Sequence, residues 1–106
     1  MKVLIFDADG QTLRLRPGSK PVAGSKGGYL RASFNLNGEY DDAEMVVASF
    51  GTSSGNDEVA VELDESNMCL VPDEVTGYHV FSTWLTCKTV DGSVFQTNRA
   101  RVQQRR

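Results

Sequence analysis

The residues with the plainest chemical potential stand together in Val3-Leu4-Ile5-Phe6-Asp7-Ala8-Asp9-Gly10-Gln11-Thr12-Leu13. An apolar strand that runs into two alternating aspartates, a glycine and a threonine has the form of a phosphoryl-transfer nucleophile loop. In such a loop the first carboxylate, here Asp7, attacks phosphorus, and the second, here Asp9, handles the proton. The same carboxylates are also hard oxygen ligands of the kind that calcium takes. Either chemistry needs further groups, which the rest of the chain must provide.

Few are provided. The loop of haloacid dehalogenase-type enzymes wants Asp-x-Asp-Gly-Thr, and here Gln11 moves Thr12 out of that register. Phosphoryl transfer also needs a Lys against the phosphoryl charge and downstream carboxylates to hold magnesium. Those groups sit at strand ends of a parallel sheet with helical crossovers, for which this sequence has neither the helices nor the length. An EF-hand starting at Asp7 would place a glutamate eleven residues on, where Gly18 stands. Asp41, Asp42, Asp57 and Glu58 are further loop carboxylates, but no spacing brings them to Asp7 and Asp9. His79 is the single imidazole, read as lying inside a strand beside Tyr78 and Phe81, so a serine triad or Cys–His pair has no supported base. Cys69 and Cys87 are too few for a disulfide framework and match no zinc spacing, so both are expected as buried free thiols on strands. The expectation is therefore no catalytic residue, no cofactor and no metal, with Asp7 and Asp9 as turn residues.

The elements that position these groups read as strands. The chain has 106 residues with 40% hydrophobic and 24% charged, which suits one domain. No apolar run approaches the ~18 residues of a membrane span, and the short stretch Met1–Phe6, interrupted by Asp7, does not read as a signal peptide. No window sustains helical apolar spacing over three turns. Alternation at period two recurs instead, with Leu30, Ala32, Phe34 and Leu36 on one face, and Val59, Val61 and Leu63 on one face of a later strand. Lys2–Phe6 and Gln11–Arg16 form an expected hairpin about Asp9-Gly10. Ala43–Phe50 and Gly77–Lys88 are apolar on both faces, as central strands are. Asp91-Gly92 turns the chain into Ser93–Thr97, and Ala100–Gln103 follows. A single helical turn is expected at Asp73–Thr76 after Pro72. Trp84, Phe81, Tyr78, Phe50 and Phe34 are the expected core or core-edge aromatics. The fold class is an all-β, immunoglobulin-like antiparallel sandwich of about seven to nine short strands. Within its single domain, 1–16 is an N-terminal hairpin, 17–28 a Gly/Pro/Ser-rich connection, 29–103 the main sandwich and 104–106 a basic tail.

Charge is segregated along the chain. Residues 39–74 hold 11 of the 14 acidic side chains and no Lys or Arg, while the flanks carry all 11 basic residues. The net charge of −3 and the lack of basic–aromatic interleaving argue against nucleic acid. A solvated acidic face is the ordinary meaning of such a run, and contact between opposite charges of neighbouring copies is the sharper one.

Several stretches taken in order resemble a known family. They are Pro21-Val22-Ala23-Gly24-Ser25, Ala32-Ser33-Phe34-Asn35-Leu36, Glu39-Tyr40-Asp41, Val47-Ala48-Ser49-Phe50, Cys69-Leu70-Val71-Pro72-Asp73-Glu74-Val75, Tyr78-His79-Val80-Phe81 and Thr97-Asn98. This series, from about residue 21 to 102, is similar to the immunoglobulin-like modules in tail and baseplate proteins of phages of Gram-positive bacteria, such as the N-terminal domain of the baseplate upper protein. Tyr40 stands where such modules often have Trp, and Thr86-Cys87-Lys88 replaces a stretch that often holds glycine. The resemblance implies a non-enzymatic structural or adaptor role in a phage or prophage tail, made in the bacterial cytoplasm and associated with the virion. The implied partners are other virion proteins and further copies of the chain, with no nucleic acid and no membrane. It brings no catalytic or ligand residue. The expected surface contacts are Tyr29, Tyr40, Arg99 and Arg101. An alternative from another class is a carbohydrate- or cell-surface-binding module that uses Tyr29, Tyr40 or Trp84 against a host surface glycan.

Overall fold

Period-two burial organises the molecule. A computed structural model describes residues 2–16, 30–52 and 58–103. The connection 17–28, Tyr29, residues 53–57 and the tail 104–106 lie outside the described residues. Strands β1 (Lys2–Asp9), β2 (Thr12–Leu15), β3 (Leu30–Asn37) and β6 (Met68–Leu70) form one sheet in the order β2-β1-β3-β6. Strands β4 (Ala43–Gly51), β5 (Val59–Glu62), β7 (Val80–Thr89), β8 (Val94–Gln96) and β9 (Ala100–Gln103) form the other, in the order β5-β4-β7, with β8 and β9 pairing the remaining side of β7. The inward residues Leu4, Phe6, Leu13, Leu30 and Phe34 of the first sheet meet Phe50, Phe81, Leu85 and Val102 of the second in one core. Phe6 and Phe34 stack with ring centroids 5.0 Å apart. Burying such side chains is what drives the two sheets together.

The molecule is an all-β sandwich of nine strands. The chain changes sheets from β3 to β4, from β5 to β6 and from β6 to β7, which is the Greek-key crossing habit of immunoglobulin-like domains. One ladder departs from the expected antiparallel arrangement, because β1 pairs with β3 in parallel from Lys2↔Leu30 to Asp9↔Asn37. The N-terminal hairpin is thus part of the first sheet. Leu4, Phe6 and Ala8 are inward and buried, and β1 lies inside its sheet with partners on both sides.

Local chemistry sets the turns. The parallel ladder carries β1 through Asp9, so the hairpin turn falls on Gly10-Gln11, one residue later than expected. Gly10 has φ +58 and Gln11 does not have positive φ, which suits a two-residue turn with glycine first. The β7–β8 loop has the expected Asp91-Gly92, with Gly92 at φ +92, and the Asp91 carboxylate accepts from the Ser93 N–H at 2.9 Å and from the Thr89 hydroxyl. Those donors hold the Asp91 carboxyl below its ordinary range, the Thr89 hydroxyl first. The turn Asp64–Met68 follows the same plan, with Asn67 at φ 60 and the Asp64 carboxylate accepting from the Ser66 and Met68 N–H groups. Pro72 precedes the one-turn helix α1 (Asp73–Thr76), which sends Val75 into the core.

The sandwich is laced along one side. β8 and β9 are two pieces of one strand, interrupted at Thr97-Asn98-Arg99. At the break the Thr97 hydroxyl accepts the Leu85 N–H at 2.9 Å, where a strand carbonyl would have done so. Asn98 then turns to the opposite sheet. Its side-chain oxygen accepts the Leu13 N–H at 2.7 Å, its amide donates to the Leu13 carbonyl at 3.1 Å, and its own N–H donates to the Gln11 carbonyl at 3.2 Å. One asparagine thereby pairs the free edge of β2 and joins the two sheets.

Candidate functional site

The aspartates that open the chemical question are structural. Asp7 lies on the exposed face of β1, where its carboxylate accepts from Arg16 at 2.8 Å and from the Asn35 amide at 3.0 Å. Those partners, Arg16 first, hold the Asp7 carboxyl below its ordinary range. A carboxylate so engaged has its charge answered by the residue that follows β2. Asp9 pairs with Thr12 and Asn37 at the other end of the ladder. Both belong to strand β1, not to the turn that the sequence suggests. Among the described residues no three of His, Cys, Asp and Glu converge to hold a metal ion, and no helix is long and apolar enough to cross a membrane.

The other reactive groups are placed as follows. Cys69 on β6 and Cys87 on β7 are buried and not joined in a disulfide, as expected from the sequence. Burial, with a smaller push from the Asp64 charge, moves the Cys69 thiol up to about 12. His79 is exposed and precedes β7, so the expectation that it lies inside a strand is corrected. The α1 helix and the bend after Gly77 delay the strand until Val80. Tyr78, expected in the core or at its edge, is 46% exposed for the same reason.

The expected surface contacts divide. Tyr40 is not one of them, since only 6% of it is exposed. It stands in the 3-10 helix Gly38–Asp42, which directs its ring against Phe95 at 5.3 Å and its hydroxyl to the Gly10 carbonyl at 2.8 Å. The phenol thus holds the turn of the N-terminal hairpin. Tyr29 lies outside the described residues. Arg99 and Arg101 are both exposed and belong to one region. Arg101 is level with Ser82, two residues from Trp84 on the same face of β7, and the Arg99 guanidinium lies 3.8 Å from the centroid of the Trp84 ring. Trp84 is packed, as the sequence suggests, but against the outer face of its sheet.

Two further surfaces escape sequence reasoning. On the outer face of the first sheet the registers align Val3, Arg31 and Leu70 in one row and Ile5, Ser33 and Met68 in the next. Val3 and Leu70 are 40% and 45% exposed, so four apolar side chains from β1 and β6 share a face that is otherwise polar. The alternation of each strand shows its outward residues, but only the parallel β1–β3 register brings these together. The second surface is an open cleft of about 340 Å³ at the β4–β5 end, bordered by Asp41, Glu44, Glu62 and Asp64 beside Met45 and Leu63. Its only ion pair among the described residues is a loose one, Glu44 to Lys88 at 3.9 Å.

Comparison with family models, with curated proteins and with solved structures finds no match to the chain. The functional reading therefore rests on these surfaces and on the resemblance carried by the sequence.

Proposed function

We propose that the protein is a non-enzymatic structural or adaptor module that works by protein–protein contact, as a component of a phage or prophage tail or baseplate. The observation that carries the contact reading is the pair of in-register rows on the first sheet, Val3–Arg31–Leu70 and Ile5–Ser33–Met68. Single exposed apolar side chains are ordinary. Contiguous ones on a flat sheet face, with Met and Arg among them, have the make-up of an interface. The tail and baseplate assignment is supported by the ordered stretches from about residue 21 to 102.

The carbohydrate-binding alternative has fewer rings to work with. The Tyr40 hydroxyl is committed to Gly10, and the Trp84 ring lies beneath Arg99. Stacking on a sugar needs an aromatic face open to solvent.

Mass spectrometry of purified particles from an induced lysogen tests the proposal. The wild-type chain is expected in the particles, and Leu70→Asp with Val3→Asp is expected to remain folded but to be excluded from them. Particles that lack the wild-type chain, or that take up the double variant equally well, overturn the reading.

A further inference from the structure

Trp84 occupies a position that alternation assigns to solvent. Thr83 and Leu85 on either side of it point inward, and Trp84 is only 6% exposed although it lies outside the core cluster. Its floor is the small-residue stretch of β4 at Ser49 and Gly51, with the Glu58 side chain alongside Gly51. A Cβ added at Gly51 would meet the ring at 3.2 Å, and Ser49 is its partner across the ladder. Its roof is the exposed guanidinium of Arg99. A guanidinium held over an indole by its charge can still donate its N–H groups to a further partner. Arg101 stands beside it on the same face, level with Ser82. Among the described residues neither arginine meets a carboxylate within 4.0 Å. The result is a pre-organised, cationic face with donors unspent.

The chain carries the complementary surface. The cleft bordered by Asp41, Glu44, Glu62 and Asp64 has apolar Met45, 42% exposed, at its side. It belongs to a run, residues 39–74, without a single Lys or Arg. Within one molecule the two surfaces make no ion pair with each other among the described residues. Glu62, the cleft acid nearest Trp84 in register, is level with Thr86 but lies across β4 from it, and Met45 is level with Lys88, six residues along β7 from the Ser82 that faces Arg101.

We propose that the Trp84–Arg99–Arg101 face of one copy docks on the acidic cleft of a second copy. The contact joins two different patches, so it is heterologous and can repeat from copy to copy into a ring or a filament. Each exposed charge pair contributes little alone, and repetition multiplies the effect. The proposal rests on the reading of the protein as a contact module, but it uses a different sheet from the Val3–Leu70 rows.

Sedimentation velocity of the purified chain tests it, with two variants that each remove one half. R99Q/R101Q loses the basic face, and E44Q/E62Q loses the cleft charge. Wild-type self-association is expected to weaken about tenfold or more as salt rises from low to about 0.5 M, where screening is nearly complete. Each variant alone is expected to be monomeric, while a mixture of the two forms a complex that stops at two copies, since each retains one half. R101Q alone, whose side chain holds no other group in place, is expected to weaken association without changing the melting curve. A wild-type chain that stays monomeric at low salt overturns the docking, as do variants that associate like the wild type or a mixture that does not pair. Quenching of Trp84 fluorescence by polygalacturonate in a chain that stays monomeric also overturns it, by giving the face to an acidic glycan. These outcomes leave incorporation into particles, which depends on the other sheet, to its own experiment.

Discussion

Replacing Asn98 by alanine removes the side-chain part of the stitch between the two sheets and leaves its backbone bond to the Gln11 carbonyl. Two side-chain hydrogen bonds are lost, at 2.7 Å and 3.1 Å, both to the backbone of Leu13. A hydrogen bond contributes about 1 kcal/mol net. Both groups lie on the edge of β2, and Asn98 itself is exposed, so water replaces part of what is removed. The expected cost is about 1–2 kcal/mol, short of the full penalty of a sealed, unsatisfied amide. For a domain of about 100 residues that lowers the melting temperature by roughly 5–15 °C. Amide exchange gives the local readout, because the Leu13 N–H loses its acceptor while the Ala8 and Phe6 amides deeper in the sheet retain theirs. Asn98→Asp sharpens the test. It keeps an acceptor for the Leu13 N–H but turns an oxygen on the Leu13 carbonyl, so it is expected to be no better than alanine at neutral pH. An Asn98→Ala protein within about 0.5 kcal/mol of wild type, with unchanged exchange at Leu13, would refute the claim that this residue joins the sheets.

Two further outcomes follow from buried groups. Tyr40→Phe removes the donor to the Gly10 carbonyl and is expected to cost about 1–3 kcal/mol in a chemical denaturation series; a loss under about 0.5 kcal/mol would show that the hydroxyl is not what holds the hairpin turn. Cys69, pushed up to about 12 from an ordinary 9.0, stays protonated in the fold while the unfolded chain forms thiolate. Its contribution to stability is therefore complete below about pH 9 and is lost as pH rises toward 12, at no more than about 1.4 kcal/mol per pH unit. Cys69→Ser is expected to flatten that alkaline decline, and an equally steep decline in the variant would remove the assignment.

Much of this architecture is legible where a local rule decides it. Ala100–Gln103 and the helical turn Asp73–Thr76 fall where the sequence places them, the second because Pro72 supplies a helix start and two acids follow it. The β3 alternation shows Leu30, Ala32 and Phe34 inward, as found. What the sequence does not reveal is partnership. The same Lys2–Asp9 strand fits a hairpin at one edge and a parallel ladder at the other, and nothing in its own residues announces β3. Tyr40 reads as a surface ring because it sits among acids, yet a 3-10 helix, which has no period-two signal, turns it inward. The candidate faces show the same limit. Arg99 and Arg101 are visible as exposed cations, but the stack on Trp84 depends on the break between β8 and β9, fifteen residues further along the chain.

The central place of β1 has a consequence for how the fold is reached. Its partner in the parallel ladder lies 28 positions later, and Leu13 on β2 finds Asn98 only 85 positions on. Loops of that length must close before their contacts stabilise anything, which places folding in the slow, millisecond-to-second class. As residues emerge from the ribosome, β1 and β2 stand as a two-stranded ribbon with both outer edges unpaired, and such ribbons are barely stable alone. Until β3 arrives on one side and Asn98 on the other, those edges are open to any other strand in the cell. Strand β1, interior in the finished molecule, is thus among its most exposed pieces on the way there, and a chaperone has the most to protect at that stage.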